Sequence, residues 1–231
     1  MTGSCLREPA VSPLVRALYD QDLADGGYVR NGSRLWAHQP ETLNRLFELM
    51  SQAFTPSGLN FRQRGVLVAA AASALGDSYC SLAWGGKLGK ASDAAVAAGV
   101  LNGSDAGLTD QEKAMAAWAR KVAKDPNATT PAHIQALRDA GLDDGQIFAI
   151  TAFVALRLAF ATINDSLGAR PDAQLVQSLP QQVREAVTYG QSVAFTNMAG
   201  SFLDSSLEFE AAIAVSDIVA RDTIPRFRES G

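Results

Sequence analysis

Two stretches of this chain are almost free of charge, and they fix what it can become. VLVAAAASAL, residues 66–75, holds no ionisable side chain, and IFAITAFVALRLAFATI, residues 147–163, holds only Arg157. Asn60 with Gln63 three positions later forms a capping pair ahead of the first, and Asp143-Asp144-Gly145-Gln146 opens the second. A helix that is apolar on every side is expected to be buried on every side. Both segments are therefore expected as central, fully buried helices packed against each other.

The rest of the chain supplies further helices and no strand signal. Ser12-Pro13 caps a helix with Leu14, Val15 and Leu18 on one stripe, ending near Gly26-Gly27. Residues 28–39 read as a connector with at most one short helix around residues 34–37. Pro40 opens a helix whose Leu43, Leu46, Phe47 and Met50 follow helical spacing, and residues 55–58 close it. A helix from Asp77 to about Ala91 contains Gly85-Gly86, which predicts a kink or a close backbone approach. Ser92-Asp93 starts another short helix, Thr109 with Glu112 makes a capping box ahead of Met115, Trp118 and Val122, and Thr130-Pro131 starts a helix that stops at Gly141. Alternation and hairpin signals are missing throughout, so the fold class is all-α. The expected organisation is a flexible N-terminus at 1–11, a helical domain at 12–171, and a C-terminal helical extension at 172–231, packed on the same domain and ending in an amphipathic helix around Leu207, Ile213, Val215 and Ile218.

Charge and cysteine usage narrow the function. A formal net charge of -4 with scattered basic residues argues against a nucleic-acid partner. Two cysteines, Cys5 and Cys80, make no disulfide framework, which suits a reducing, cytoplasmic setting. Neither a signal-peptide pattern nor an uninterrupted apolar run of ~20 residues is present, so a soluble protein is expected and no membrane partner.

Chemistry concentrates at GDSYCSLAWGGK, residues 76–87. Asp77 at the N-cap, Cys80 three residues on and Trp84 one turn later share a helical face. The helix N-terminus favours a thiolate at Cys80, and the neighbouring Asp77 carboxylate opposes it. Cys80 can thus be a small buried hydrophobe or a reactive group, and Asp77 a simple cap or a general acid/base. Trp84 reads as pocket wall or packing. His38 and His133, the only histidines, have no second ligand at helical spacing, so no metal site is expected. Arg157, alone in its apolar helix, is expected to pair with Asp165 or Asp77, with an anion-binding role as the alternative.

The order of these parts resembles the alkyl hydroperoxidase D-like (AhpD-like) or carboxymuconolactone decarboxylase superfamily, in particular its peroxidase-related branch. The matching pieces are GYVRNGSRLWAHQPETLNRLFELM, GLNFRQRGVLVAAAASALGDSYCSLAWGGKLGKA and the stretch from LTDQEKAMAAWARK to SLGARPD, which together cover most of residues 15–172. In the peroxidases of that family a glutamate, a CxxC pair and a histidine form a proton relay and redox centre. Position by position, the glutamate falls on Gly65, the first cysteine on Asp77, the second on Cys80 and the histidine on Trp84, so only Cys80 is retained. The resemblance implies an AhpD-like helical domain that forms a homo-oligomer, with no cofactor. The dithiol relay is missing, which leaves three functions open. They are a repurposed small-molecule enzyme with acid/base chemistry on an apolar substrate, a one-cysteine alkylhydroperoxidase-like activity, and a non-catalytic binding or assembly protein. Asp77 and Cys80 are the catalytic candidates, and Tyr79, Trp84, Gly65 and His38 the candidate pocket residues.

Overall fold

The computed structural model describes residues 3–194. Among them the regular structure is helical, and the only β pairing is an isolated bridge between Asp172 and Ala194. Eleven α-helices follow in order among the described residues: α1 Pro13–Gly26, α2 Asn31–Trp36, α3 Pro40–Phe54, α4 Phe61–Leu75, α5 Ser78–Ala91, α6 Ala94–Leu101, α7 Asp110–Lys124, α8 Pro131–Asp139, α9 Asp144–Ser166, α10 Ala173–Gln177 and α11 Gln181–Ala186. The expected amphipathic helix around Leu207 lies outside the described residues.

Capping residues set most helix starts. Asn60 and Gln63 exchange side-chain and backbone hydrogen bonds at the start of α4, Thr109 and Glu112 do so at α7, and Asp143 and Gln146 at α9. At α8 the exposed His133 takes the place of Glu or Gln, its Nδ1 accepting from the Thr130 N–H at 3.0 Å. Each cap satisfies amide groups that the helix itself leaves unpaired, and stabilises it by about 1 kcal/mol.

The Ala-rich α4 is the hub. Residues 65–72 are all buried, and α5, α6, α7 and α9 pack around them. Small side chains allow this crowding, because alanine lets neighbouring helices approach on every side. The glycines of α5 serve the same end. The helix runs unbroken through Gly85 and Gly86, and a Cβ on either would collide with Leu101 and Val183 or with Leu179. Close approach, and no break in the helix, is what these two residues provide.

The second apolar segment behaves differently from expectation. α9 packs on α3, α4, α7 and α8, with Ile150, Phe153 and Val154 fully buried, but it is not enclosed on all sides. Phe148 is 75% exposed, and Ala155, Ala159, Thr162 and Ile163 continue an uncovered stripe. These neighbours cover only part of the helix surface, so an uncharged sequence here marks an unpartnered face as well as a core. By length and composition α9 is the one described helix that could cross a membrane; in this fold one side of it packs into the bundle and the other is uncovered.

Both ends of the described chain meet near the C-terminal end of α9. The Cys5 N–H donates to Leu167 O, the Arg170 N–H to Gly3 O, and Arg34 pairs with Glu8. Beyond α9 the chain turns back through α10 and α11, and residues 187–194 return across the start of α5.

Candidate active site

The turn between α4 and α5 places the chemistry. Gly76 ends α4 in the left-handed conformation (φ 82°), and Asp77 then caps α5 through Oδ1, which accepts the Cys80 N–H at 2.9 Å. Cys80 consequently sits in the first turn, facing α9. Asp77 is 0% exposed and Cys80 4%. Oδ1 is used by the cap, whereas Oδ2 is buried with no hydrogen-bond partner.

Arg157 comes from the middle of α9 to meet them. Its Nη2 is 3.6 Å from Cys80 Sγ and its Nη1 3.9 Å from Met50 Sδ, and the guanidinium lies over the rings of both Trp84 (5.4 Å) and Phe160 (5.2 Å). The residue is 7% exposed, and its Nε has no hydrogen-bond partner. The expected ion pair is not formed: among the described residues no carboxylate lies within 4 Å of this guanidinium. The two sulfurs and two aromatic rings occupy its surroundings, and Asp77 acts on it only through space.

The electrostatics follow from burial and these neighbours. Burial pushes the Cys80 thiol well above its usual range, the Asp77 charge adds to that, and Arg157 opposes it. Burial also raises the Asp77 carboxyl, against the pull of its hydrogen bonds and of Arg157. Asp165, half-buried two turns beyond Arg157 on α9, is raised to about 6 by burial and by the Asp77 charge. Arg157 thus bears on two acids, Cys80 and Asp77, and Asp165 feels the Asp77 charge.

Other sequence candidates fall elsewhere. Tyr79 is buried, but its hydroxyl donates to Asp172 Oδ2 at 2.6 Å and accepts from the Gly32 N–H at 3.2 Å, and its ring packs with Leu35 and Ala169. Adjacent helical residues point about 100° apart, so Tyr79 faces α2 while Cys80 faces α9. These contacts anchor α5 to α2 and to the segment after α9. His38 is exposed on the surface, with Nε2 3.0 Å from Arg7 O, and takes no part in the site. Gly65 lies against Leu88, two turns further along α5 than Cys80, and serves packing. Trp84 does join Cys80. Besides Arg157, its ring receives Arg64 at 5.4 Å and Lys87 at 4.7 Å. No group of three or more His, Cys, Asp or Glu able to hold a metal occurs among the described residues.

Two elements of the site had no sequence signal. Residues 187–194 cross the first turn of α5, with Tyr189 donating to Ser81 Oγ at 3.0 Å and Ser78 Oγ donating to Gln191 O at 2.8 Å. Gly190, at φ 75°, passes so near Gly76 O and Ser78 N that a Cβ would lie 2.5 and 2.8 Å from them. Met50 from α3 is the other. A cavity of about 330 Å³ lies away from this cluster, along α1 between Val11 and Asp20.

No family model matches this sequence, and no curated protein sequence matches it. Solved structures do match by shape. An AhpD-core peroxidase-related protein from Ralstonia eutropha JMP134 is 24% identical with a TM-score of 0.65, covering 74% of this chain and 94% of its own. A peroxidase-related protein from Silicibacter sp. TM1040 is 19% identical with a TM-score of 0.68, over 76% and 95%. A cysteine-to-alanine variant of the debrominase Bmp8, in complex with 2,3,4-tribromopyrrole, is 15% identical with a TM-score of 0.62, over 78% and 97%. The chain has the AhpD-like helical fold.

Proposed function

We propose that this AhpD-like chain is an enzyme for a small, largely apolar organic molecule, with Asp77 as acid/base and Cys80 as the thiol beside it. One observation carries the reading: a carboxylate and a thiol are buried together, the thiol against a cation that no carboxylate of the described residues touches. A purely structural N-cap needs only one carboxylate oxygen, and here the second is left unpartnered in the interior, where an unmade hydrogen bond costs about 1–3 kcal/mol. Asp77 can take a proton from the thiol or from an acidic C–H or O–H of the substrate and return it to the product. The rings of Trp84 and Phe160 and the thioether of Met50 supply apolar walls. The fold is shared with a debrominase bound to a halogenated pyrrole, which supports an enzyme-like role but does not define the reaction.

The test is ligand capture. Wild-type protein, Asp77→Asn and Cys80→Ala are incubated with a metabolite extract, desalted, and their retained small molecules identified by mass spectrometry. An apolar compound that the variants hold and the wild type converts is the expected result. Equal retention or no retention by all three overturns the reading.

The approach of Arg157 to Cys80 favours a second reading, one-cysteine peroxide reduction. Cys80 gives its proton to Asp77, the thiolate sulfur attacks the terminal peroxide oxygen, the O–O bond breaks, and the departing alkoxide takes that proton from Asp77, giving the sulfenic acid and the alcohol. Two equivalents of an external thiol then restore the thiol and release water and a disulfide. Cumene hydroperoxide should add one oxygen at Cys80 in a Cys5→Ser background; an unchanged mass rejects this reading.

Self-association belongs to the same proposal. The α9 stripe from Phe148 to Ile163 carries no charge, and Phe47 of α3 is exposed beside Phe160. Two copies related by a two-fold axis could bury such a face against itself without like-charge repulsion. Light scattering is expected to show an oligomer that Phe148→Asp dissociates.

A further inference from the structure

We propose that Arg157 is a positioning residue whose buried cation holds one negative charge between Cys80 and Asp77, so that the pair keeps a single proton able to sit on either sulfur or oxygen. This rests on the reading of Asp77 and Cys80 as the working groups, and assigns the third member of the site.

The guanidinium carbon lies 5.4 Å from the ring centre of Trp84 and 5.2 Å from that of Phe160, so two aromatic rings take up part of its surroundings. Nη1 is directed at a thioether, which accepts weakly and cannot ionise, and Nη2 at Cys80. Buried among these rings and sulfurs, the cation touches no carboxylate of the described residues. Next to it lie two acids that do not otherwise neutralise each other. A buried site with one positive charge is stable with one negative charge, and much less so with none or two. Asp77 ionised with Cys80 as thiol, and Asp77 protonated with Cys80 as thiolate, have the same total charge. Moving the proton between them needs no new buried charge, and the unpartnered Asp77 Oδ2 is free to receive it. Arg157 thus makes the thiolate reachable in a site whose burial works against it, and the protonation of the two acids belongs to the pair.

The other ionisable groups around Cys80 are accounted for. Asp165 on α9 bears on it through space. Tyr189, from the segment crossing α5, bonds to Ser81. Arg64 and Lys87 reach the ring of Trp84 one turn along. The stretch of α4 from 65 to 72 and Met50 of α3 contribute no charge.

The experiment titrates Cys80 directly in a Cys5→Ser background, through the pH dependence of the cysteine ¹³Cβ shift, which needs no substrate and no reagent access. Asp77→Asn removes the competing acid while Arg157 stays, so the thiolate should form at lower pH than in the parent. Adding Arg157→Met, an unbranched uncharged replacement, should reverse this and lower the ionisation constant by about tenfold or more, with Arg157→Lys in between. Coincident titrations of Asp77→Asn and Asp77→Asn/Arg157→Met would overturn the proposal. If Arg157→Met fails to fold, the lysine variant decides: a curve that stays on that of Asp77→Asn across the pH range also overturns it. The outcome is independent of ligand capture, so a correct titration with no captured ligand would reject the enzymatic reading and leave the role of Arg157 standing.

Discussion

Arg157 Nη2 lies 3.6 Å from Cys80 Sγ across 77 residues of sequence, and this contact ties the charge of α9 to the start of α5. Asp77 completes the cluster without touching the guanidinium, so its two duties can be separated. Asp77→Asn keeps an Oδ1 acceptor for the Cys80 N–H and loses the charge; Asp77→Ala loses both. The alanine variant is expected to be less stable than the asparagine variant by about 1 kcal/mol, the usual worth of an N-cap. Urea unfolding checks this, and equal midpoints would show that the cap contributes nothing.

Asp165 should impose a pH dependence of the opposite sign to that of most carboxylates. Its folded value of about 6 lies above the ordinary 3.8 because of burial first and the Asp77 charge second. The folded state therefore holds this proton more tightly than the unfolded chain. The resulting stability is fully present below about pH 4 and is lost as pH rises through 6. Asp165 is only half-buried, so solvent screening reduces the effect to about 1 kcal/mol. Asp165→Asn should accordingly gain about that much over wild type between pH 4 and pH 7.5 in paired unfolding curves. A difference that does not change with pH would remove Asp165 from the cluster.

Glu112 behaves in the ordinary direction. Burial pulls its carboxyl upward, but hydrogen bonds from Arg62 at 2.7 and 3.1 Å, with those from Thr109, outweigh it and leave the group below its usual value. That stability is present above the unfolded pKa and disappears as pH falls through the folded one. Glu112→Gln is expected to cost about 1–3 kcal/mol at pH 7, and less below pH 4. Thermal unfolding at the two pH values provides the comparison; a cost that persists in acid would assign the loss to packing at the α7 start.

The fold was legible because it rests on local signals. Capping pairs at Asn60, Thr109 and Asp143 and two uncharged segments define helices wherever they occur, and the close approach at Gly85-Gly86 follows from residues with no Cβ. The site was half legible. Asp77, Cys80 and Trp84 are neighbours by helical spacing, so one helix was enough to group them. Tyr79 shares the motif but turns to Asp172, a partner 93 residues away. Arg157 was visible as a lone charge, yet its partner was expected among carboxylates because ion pairing is the usual answer to a buried cation; aromatic faces and sulfur leave no such mark in sequence. Gly65 stands in the group by the resemblance alone, and position alone does not bring side chains together; His38, read from its place ahead of Pro40, lies at the surface with Nε2 3.0 Å from Arg7 O.

Tyr79 and Asp172 give a direct test of the anchoring role. The tyrosine hydroxyl bridges the Gly32 N–H and the buried Asp172 carboxylate, which also accepts the Asn31 N–H at 2.8 Å. Tyr79→Phe keeps the ring and strands two buried polar groups, at a cost of about 1–3 kcal/mol. Chemical denaturation is expected to show this loss while the Cys80 titration stays where it was. A shifted titration would return Tyr79 to the site.

Residues 187–194 lie across the first turn of α5, beside the cluster. Cys80 is closed off in this structure, and the two hydrogen bonds from this segment to Ser78 and Ser81 hold it over the first turn of α5. Gly190 permits the close pass over Gly76 and Ser78, and its positive φ adds a strain for any residue with a Cβ. Gly190→Ala should lift the segment without disturbing the α4 core. Two hydrogen bonds of about 1 kcal/mol each correspond to roughly tenfold or more in the population of the open form, and the modification rate of a buried thiol follows that population when opening is fast. Iodoacetamide labelling of Cys80 in a Cys5→Ser background is expected to accelerate by that factor in Gly190→Ala, and by less in Tyr189→Phe, which loses one of the two bonds. An unchanged labelling rate in both would mean that the thiol is reached from the α9 side, past Trp84 and Phe160, and that the segment crossing α5 is not the door.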